Sequence, residues 1–267
     1  MKKIIAVLLT VILTCVVFTA CSIEDFSGNS KQIKYKAYDD HAAVTELPTA
    51  TGMTELVIAD EYEGLPVTEI RDFAGCNLEF AEKIIIGKNV EAIGEWAFTN
   101  NQKLKAFEVS EENPYFCSVD GVLFTKDMKT LLFFPCANVN EYTVPDTVET
   151  IRSKAFYKCV NLEKVNLSSK LKSIEEKAFF RCSALRNVEL GEALESIGKD
   201  AFGYCSSMTA ITLPENISFV GDYAFFNCTA LYTVNVNANK DSVTFGKEWQ
   251  PTNNGLAINE LKINYNG

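Results

Sequence analysis

The sequence predicts an α/β repeat fold, a solenoid whose coils each carry one helical turn and one short parallel strand, with a β-hairpin inserted in the stack. Three observations predict it. The phrase AFYKCVNLEKVNL, from Ala155 to Leu167, returns as AFFRCSALRNVEL, AFGYCSSMTAITL and AFFNCTALYTVNV at Ala178, Ala201 and Ala224, always 23 residues on. The aliphatic residue opening each unit falls at Ile151, Ile174, Ile197 and Val220, and earlier at Ile70 and Ile93, again 23 apart. From Ile93 to Ile151 the gap is 58, one repeat plus an insertion of 35 residues. A fixed period of this size is the signature of a solenoid, in which a unit buries its apolar side only against its neighbours and both ends need caps.

Taken in order, the chain opens with Met1-Lys2-Lys3 and an apolar run from Ile4 to Phe18. That is the layout of a secretory signal, short for a spanning helix and without a stop-transfer pattern after it. The following Thr19-Ala20-Cys21-Ser22 resembles a bacterial lipoprotein lipobox, although Phe18 departs from the usual aliphatic residue. The resemblance implies that Cys21 is lipidated and becomes the new N-terminus, which would hold the protein to a membrane face. Ordinary cleavage and secretion is the alternative. The expected organisation is a signal over 1–20, a lipidated cysteine and polar tether over 21–34 and an entry cap over 35–69. Repeats then run over 70–242, with the hairpin insertion at about 110–141, and a C-terminal cap covers 243–267.

Within a unit, Ala155, Phe156 and Cys159 are spaced to share one face of a helical turn. Leu162, Val165 and Leu167 then include the alternation of a short strand, with Lys164 and Asn166 turned the other way. Gly94, Gly198 and Gly221 each follow the unit-opening aliphatic residue and read as turn residues. The insertion carries two apolar runs, Val122–Phe124 and Leu131–Phe134, separated by a polar turn, so a hairpin standing off the solenoid is expected. Tyr142 and Val144 resume the strand register of Val165 and Leu167.

The motif AF-x-x-C-x-x-L-x-x-V-x-L, the SVDGVLF…TLLFFP hairpin, the YTVP return and the GLPVTEI entry together resemble BspA-type leucine-rich repeats over about Tyr35 to Val243. The first unit, IRDFAGCNLEF, departs from the pattern by losing the alanine–phenylalanine pair, and Cys117 and Cys136 stand where small non-thiol residues are expected. The resemblance implies a curved leucine-rich-repeat solenoid with strands on the concave side and helical turns on the convex side, displayed outside the cell. It further implies an adhesion or protein-interaction role.

Composition and motifs narrow the function classes. A formal net charge of −10 with no basic cluster argues against nucleic acid. Cys159, Cys182, Cys205 and Cys228 fall one per coil, so they cannot converge on a tetrahedral metal ion. A nucleophilic cysteine or a serine triad needs a base, and the one histidine, His41, lies in the entry segment. Carboxylates suited to a glycosidase pair fall at outward repeat positions, where a solvated face explains them. Packing therefore accounts for the ladder thiols, which are expected to be buried and reduced. If any pair were bridged, Cys117 with Cys136 across the hairpin base is the expected one. No cofactor and no catalytic activity are expected.

Two surfaces remain as candidates. Strand alternation turns Ile85, Glu108, Thr143, Asn166, Glu189, Thr212 and Asn235 to the concave side, with Lys83, Glu141, Lys164, Asn187 and Thr233 flanking them. This strip is small, polar and mixed in sign, which suits a protein ligand on host or neighbouring cells. A carbohydrate- or cell-wall-binding module is the alternative. Tyr157, Phe180 and Phe226 share one beat on the helical side, with Gly203 interrupting. They form either an aromatic strip for a partner or a stripe partly buried between coils. A monomer is expected.

Overall fold

A coil of constant length sets each residue above its equivalent in the coil before, and the backbone pairs in that register on every side. A computed structural model of the chain describes residues 32–137, 140–253, 256–257 and 262–265. They form a curved β-solenoid of about nine turns. One side is built from three parallel three-stranded sheets. The first joins Glu55–Val57, Lys83–Ile86 and Ala106–Val109. The second joins Glu141–Thr143, Lys164–Asn166 and Asn187–Glu189, and the third joins Ala210–Leu213, Thr233–Val236 and Lys262–Tyr265. We call this the strand face. A second side is a ladder of shorter parallel strands, Thr150–Ile151, Ser173–Ile174, Ser196–Ile197, Phe219–Val220 and Thr244–Phe245.

The third side corrects the expectation of helical turns. Among the described residues the only helical element is a 3₁₀ turn at Lys240–Ser242. The Ala-Phe-x-x-Cys segment is instead a run of tight turns whose N–H groups alternate in direction. Ala155, Tyr157 and Cys159 donate three residues back, to Arg152, Lys154 and Phe156. Lys154, Phe156 and Lys158 donate to Glu176, Ala178 and Phe180 of the next coil, at 3.1, 2.8 and 2.8 Å. This alternation needs left-handed residues, and Lys154 and Lys158 have φ of 64° and 59°. Lys177 and Arg181 repeat the arrangement at 57° and 62°. Such residues break a right-handed helix, so spacing suited to a helical turn is used by successive turns instead.

The insertion does not stand off the solenoid. It is a meander of Phe116–Val119, Val122–Thr125 and Thr130–Phe133, and the last strand pairs in parallel with Thr150–Ile151. Asn113 pins its entry, donating from Nδ2 to the Gly87 and Val90 carbonyls and accepting the Tyr115 and Phe116 N–H groups on Oδ1. Because side chains alternate across a strand, the meander supplies both of its neighbours. Leu123, Leu132 and Phe133 belong to the N-terminal core, while Val122, Phe124, Leu131 and Phe134 belong to the C-terminal core. The stack therefore holds two cores, with the meander between them.

In the C-terminal core, Phe156, Phe179, Phe202 and Phe225 are buried and stack in sequence with centroids 4.7, 5.2 and 5.5 Å apart. The ends are covered. Lys34–Ala37 pairs with Ala42–Glu46, which continues into Leu65–Ile70. At the other end, Trp249 stacks on Phe245 at 4.4 Å, and Lys262–Tyr265 extends the last sheet.

Gly198 and Gly221 serve close approach between coils, not turn geometry. A Cβ on either would come within 2.6 Å of a backbone nitrogen in the preceding coil, Glu176 and Lys199 respectively. Gly221→Ala is accordingly expected to destabilise the fold by at least the ~1–3 kcal/mol typical of overpacking. Phe179→Ala, which opens a cavity in the stacked column, is expected to cost ~3–5 kcal/mol. Urea unfolding of both variants checks these values. A Phe179→Ala protein as stable as the parent would show that the column does not support the fold.

Candidate functional site

The strand register sets the expected strip on one face. Lys164 stands between Glu141 and Asn187, and Asn166 between Thr143 and Glu189. In the last sheet Thr233 stands between Ala210 and Lys262, and Asn235 between Thr212 and Asn264. In the first sheet Lys83 pairs with Ala106 and Ile85 with Glu108. The intervening Ile84, Phe107, Val165, Val188, Ile211 and Val234 are buried.

Much of the strip is satisfied from coil to coil. Lys83 lies 3.0 Å from Glu55 and 3.1 Å from Glu108, and Lys164 lies 2.7 Å from Glu141. Asn166 donates to Glu141 and Thr143, Asn235 to Thr212, and Asn264 to Asn235. Hydrogen bonds from Lys164 and then Asn166 hold the Glu141 carboxyl below the usual range. Glu189 and Thr212 line an open depression of about 320 Å³ together with Val188, Leu190, Ala210 and Ile211. Cys21 lies outside the described residues. Among those residues no helix is long and apolar enough to cross a membrane.

The cysteine column has a polar task besides packing. The thiols of Cys182, Cys205 and Cys228 donate to the carbonyls of Phe156, Phe179 and Phe202 one coil earlier, at 3.0, 3.1 and 3.0 Å. Each of those carbonyls also accepts the N–H of the cysteine in its own coil. Asn101 occupies the same position earlier in the stack, donating to the Gly75 carbonyl at 2.7 Å. Burial raises all three thiol pKa values, that of Cys228 to about 12.

Cys159 departs from the expected reduced state. It is bridged to Cys136, with Cα atoms 4.8 Å apart. Cys117 is not part of that bridge and remains a free thiol, 3.4 Å from the Thr125 carbonyl. The partner of Cys159 follows from the repeat itself, since Cys136 precedes it by 23 residues and the insertion hides that step.

The aromatic strip is continuous along the turn edge. Phe73 stacks on Trp96 at 5.6 Å, Trp96 meets Tyr157 at 5.5 Å, and Tyr157 stacks on Phe180 at 5.5 Å. At Gly203, whose added Cβ would sit 3.0 Å from the Phe180 ring, the column steps sideways. Tyr204 takes over, 5.2 Å from Phe180 and 5.6 Å from Phe226. Sequence reasoning missed Phe73, Trp96 and Tyr204 because they occupy neighbouring positions of the unit. Arg181 lies over Phe180 and Tyr204, and Lys158 over Tyr157.

Coils with a shared apolar interior and two outward columns of changing polar residues define a class, the leucine-rich-repeat solenoid. Within that class the chain belongs to the BspA-type family: the description "BspA type Leucine rich repeat region" matches it in six copies over residues 60–118 and 126–246. Among solved structures, the chain is similar to pneumococcal vaccine antigen PcpA, with 27% identity and a TM-score of 0.66 over 77% of this chain. It spans only 50% of that structure. It is also similar to the T. pallidum leucine rich repeat protein, at 23% identity and TM-score 0.42, covering 80% of this chain and 83% of that one. A leucine rich cell surface protein of Faecalibacterium prausnitzii matches at 19% identity and TM-score 0.44, covering 90% and 77%. No curated protein matches the chain.

The raised thiols predict alkaline lability. A group whose pKa is higher in the folded state contributes stability that is complete below its unfolded pKa and is lost as pH rises towards the folded value. For Cys228 that window opens near the ordinary 9.0 and closes at about 12. Each buried thiol is expected to lower stability by ~1.4 kcal/mol per pH unit within it. Urea midpoints should fall steeply above that lower bound, and less steeply in Cys228→Ala. The same slope in both proteins would refute the link.

Proposed function

We propose that the chain is a non-catalytic, extracytoplasmic solenoid that binds proteins through its strand face and acts as a monomer held to a membrane by a lipid on Cys21. The observation that carries the binding role is the contrast between inward and outward positions of the same strands. Val165, Val188, Ile211 and Val234 keep one character, whereas Asn166, Glu189, Thr212 and Asn235 change in charge and size. A scaffold with a common core and an adaptable surface has this pattern. The depression between Glu189 and Thr212 supplies a recess where a partner's side chain fits.

The apolar run after Lys2-Lys3 and the Thr19–Ser22 segment support export and lipidation. Similarity to a vaccine antigen supports display outside the cell. Sugar stacking gains no support from the turn edge, because the faces of Tyr157 and Phe180 are turned to each other at 10° between planes.

Surface proteins captured on the immobilised chain from Ser22 onward should be lost when Asn166, Glu189 and Thr212 are changed together to lysine, with circular dichroism unchanged. An identical captured set from the triple variant would refute the strand face as the interface. In cells, Cys21→Ala should release the protein from the membrane fraction or block its maturation. Unchanged membrane association would refute the lipid anchor.

A further inference from the structure

We infer that the turn edge is a second recognition surface, and that it takes an extended polypeptide segment bearing carboxylates. The proposal shares with the preceding one only the premise that the solenoid binds polypeptide, since this edge is a different side of the coil from the strand face.

Its side chains differ in kind from those of the strand face. Tight protein interfaces are dominated by Trp, Tyr and Arg. The strand-face strip has none of the three, whereas the turn edge presents Trp96, Tyr157, Arg181 and Tyr204 in unbroken contact. At the N-terminal end of the row Phe73 is 60% exposed.

Charge then selects the partner. Lys154 and Lys177, the cations set deeper along this edge, are neutralised by Glu95 and by Glu176 with Asp200. As Lys154 does over Trp96 at 4.5 Å, Lys158 and Arg181 lie over rings, at 5.6 Å from Tyr157 and 5.1 Å from Tyr204. Among the described residues neither cation has a carboxylate in ion-pair contact. In a chain of net charge −10 they form a local positive site between rings. A guanidinium takes a carboxylate through two parallel hydrogen bonds, and its position over a ring adds a cation–π contact that does not compete with them.

Two cations beside six rings are too few for a phosphate polymer, whose binding rests on many charge neutralisations. They suit a peptide that carries acidic and then apolar residues along one face of its extended backbone. In extended backbone, side chains on one face recur every ~7 Å, so carboxylates two residues apart reach Lys158 and Arg181 on adjacent coils, and apolar residues at the next positions of that same face meet the rings.

The test uses the whole chain from Ser22 onward and a fluorescein-labelled peptide with glutamate at two alternate positions, leucine at the next two alternate positions and serine between them, followed by anisotropy. Saturable binding that weakens with salt is expected. Lys158→Glu combined with Arg181→Glu should reduce affinity at least about tenfold, or ~1.4 kcal/mol, at an unchanged thermal midpoint. A strand-face variant with Asn166, Glu189 and Thr212 changed to alanine, which adds no cation there, should bind the peptide as the parent does, which separates failure of this proposal from failure of the earlier one. No saturable binding, equal binding of the glutamine-for-glutamate peptide, or tighter binding of inorganic polyphosphate would each overturn it.

Discussion

Everything in this molecule depends on the backbone hydrogen bond from one coil to the next, made in the same register on all three sides. In the regular coils the strand-face sheets, short-strand ladder and turn edge pair residues 23 positions apart or within one of that spacing, and towards the ends the spacing lengthens, as at Glu55 with Lys83 and Thr233 with Lys262. A coil such as that of Lys164–Asn166 is therefore fixed by pairing on three sides, and a change in its length would break one of them. The long insertion is tolerated because it supplies its own pairing partners and leaves a strand, Thr130–Phe133, to restart the ladder at Thr150–Ile151.

The same constraint explains the thiol in each turn. A run of tight turns leaves each Phe carbonyl facing the next coil with capacity for one more donor. The donor must be small enough to lie in a packed column of phenylalanines. Cysteine meets both demands, and Asn101 meets them where the N-terminal core has room for an amide. Since a buried thiol that also donates a hydrogen bond resists deprotonation, the column is chemically quiet along Cys182, Cys205 and Cys228.

The period made the repeat, the strand positions and the outward columns legible, because apolar residues at Val165 and its equivalents alternate with polar ones, but it marked six units where the solenoid has about nine turns. The turn edge was not legible in the same way. Ala155, Phe156 and Cys159 satisfy a helical spacing, and only backbone chemistry separates that from consecutive turns. Asn77, Asn100 and Asn227, all with positive φ just before the ladder position, carried that signal, because asparagine tolerates the left-handed region. The meander misled for a different reason. Its apolar runs are unbroken, not alternating, and Leu123 beside Phe124 is what a strand buried on both faces requires. The aromatic edge was legible only at Tyr157, Phe180 and Phe226, because Phe73, Trp96 and Tyr204 come from other positions of the unit and ring contacts follow space, not sequence beat.

Placing a doubly buried meander between two cores also has a kinetic consequence. Order in a repeat stack spreads from neighbour to neighbour, and here growth from either end arrives at strands that pair locally with one another and contribute to both cores. Leu132 and Leu131, adjacent residues on one strand, belong to opposite cores. The meander is thus a relay: whichever half orders first presents the other with a completed template. Beyond it the Cys136–Cys159 bridge ties the relay to the first regular coil. Once oxidised, that junction cannot part along the chain axis even while the coils on either side breathe.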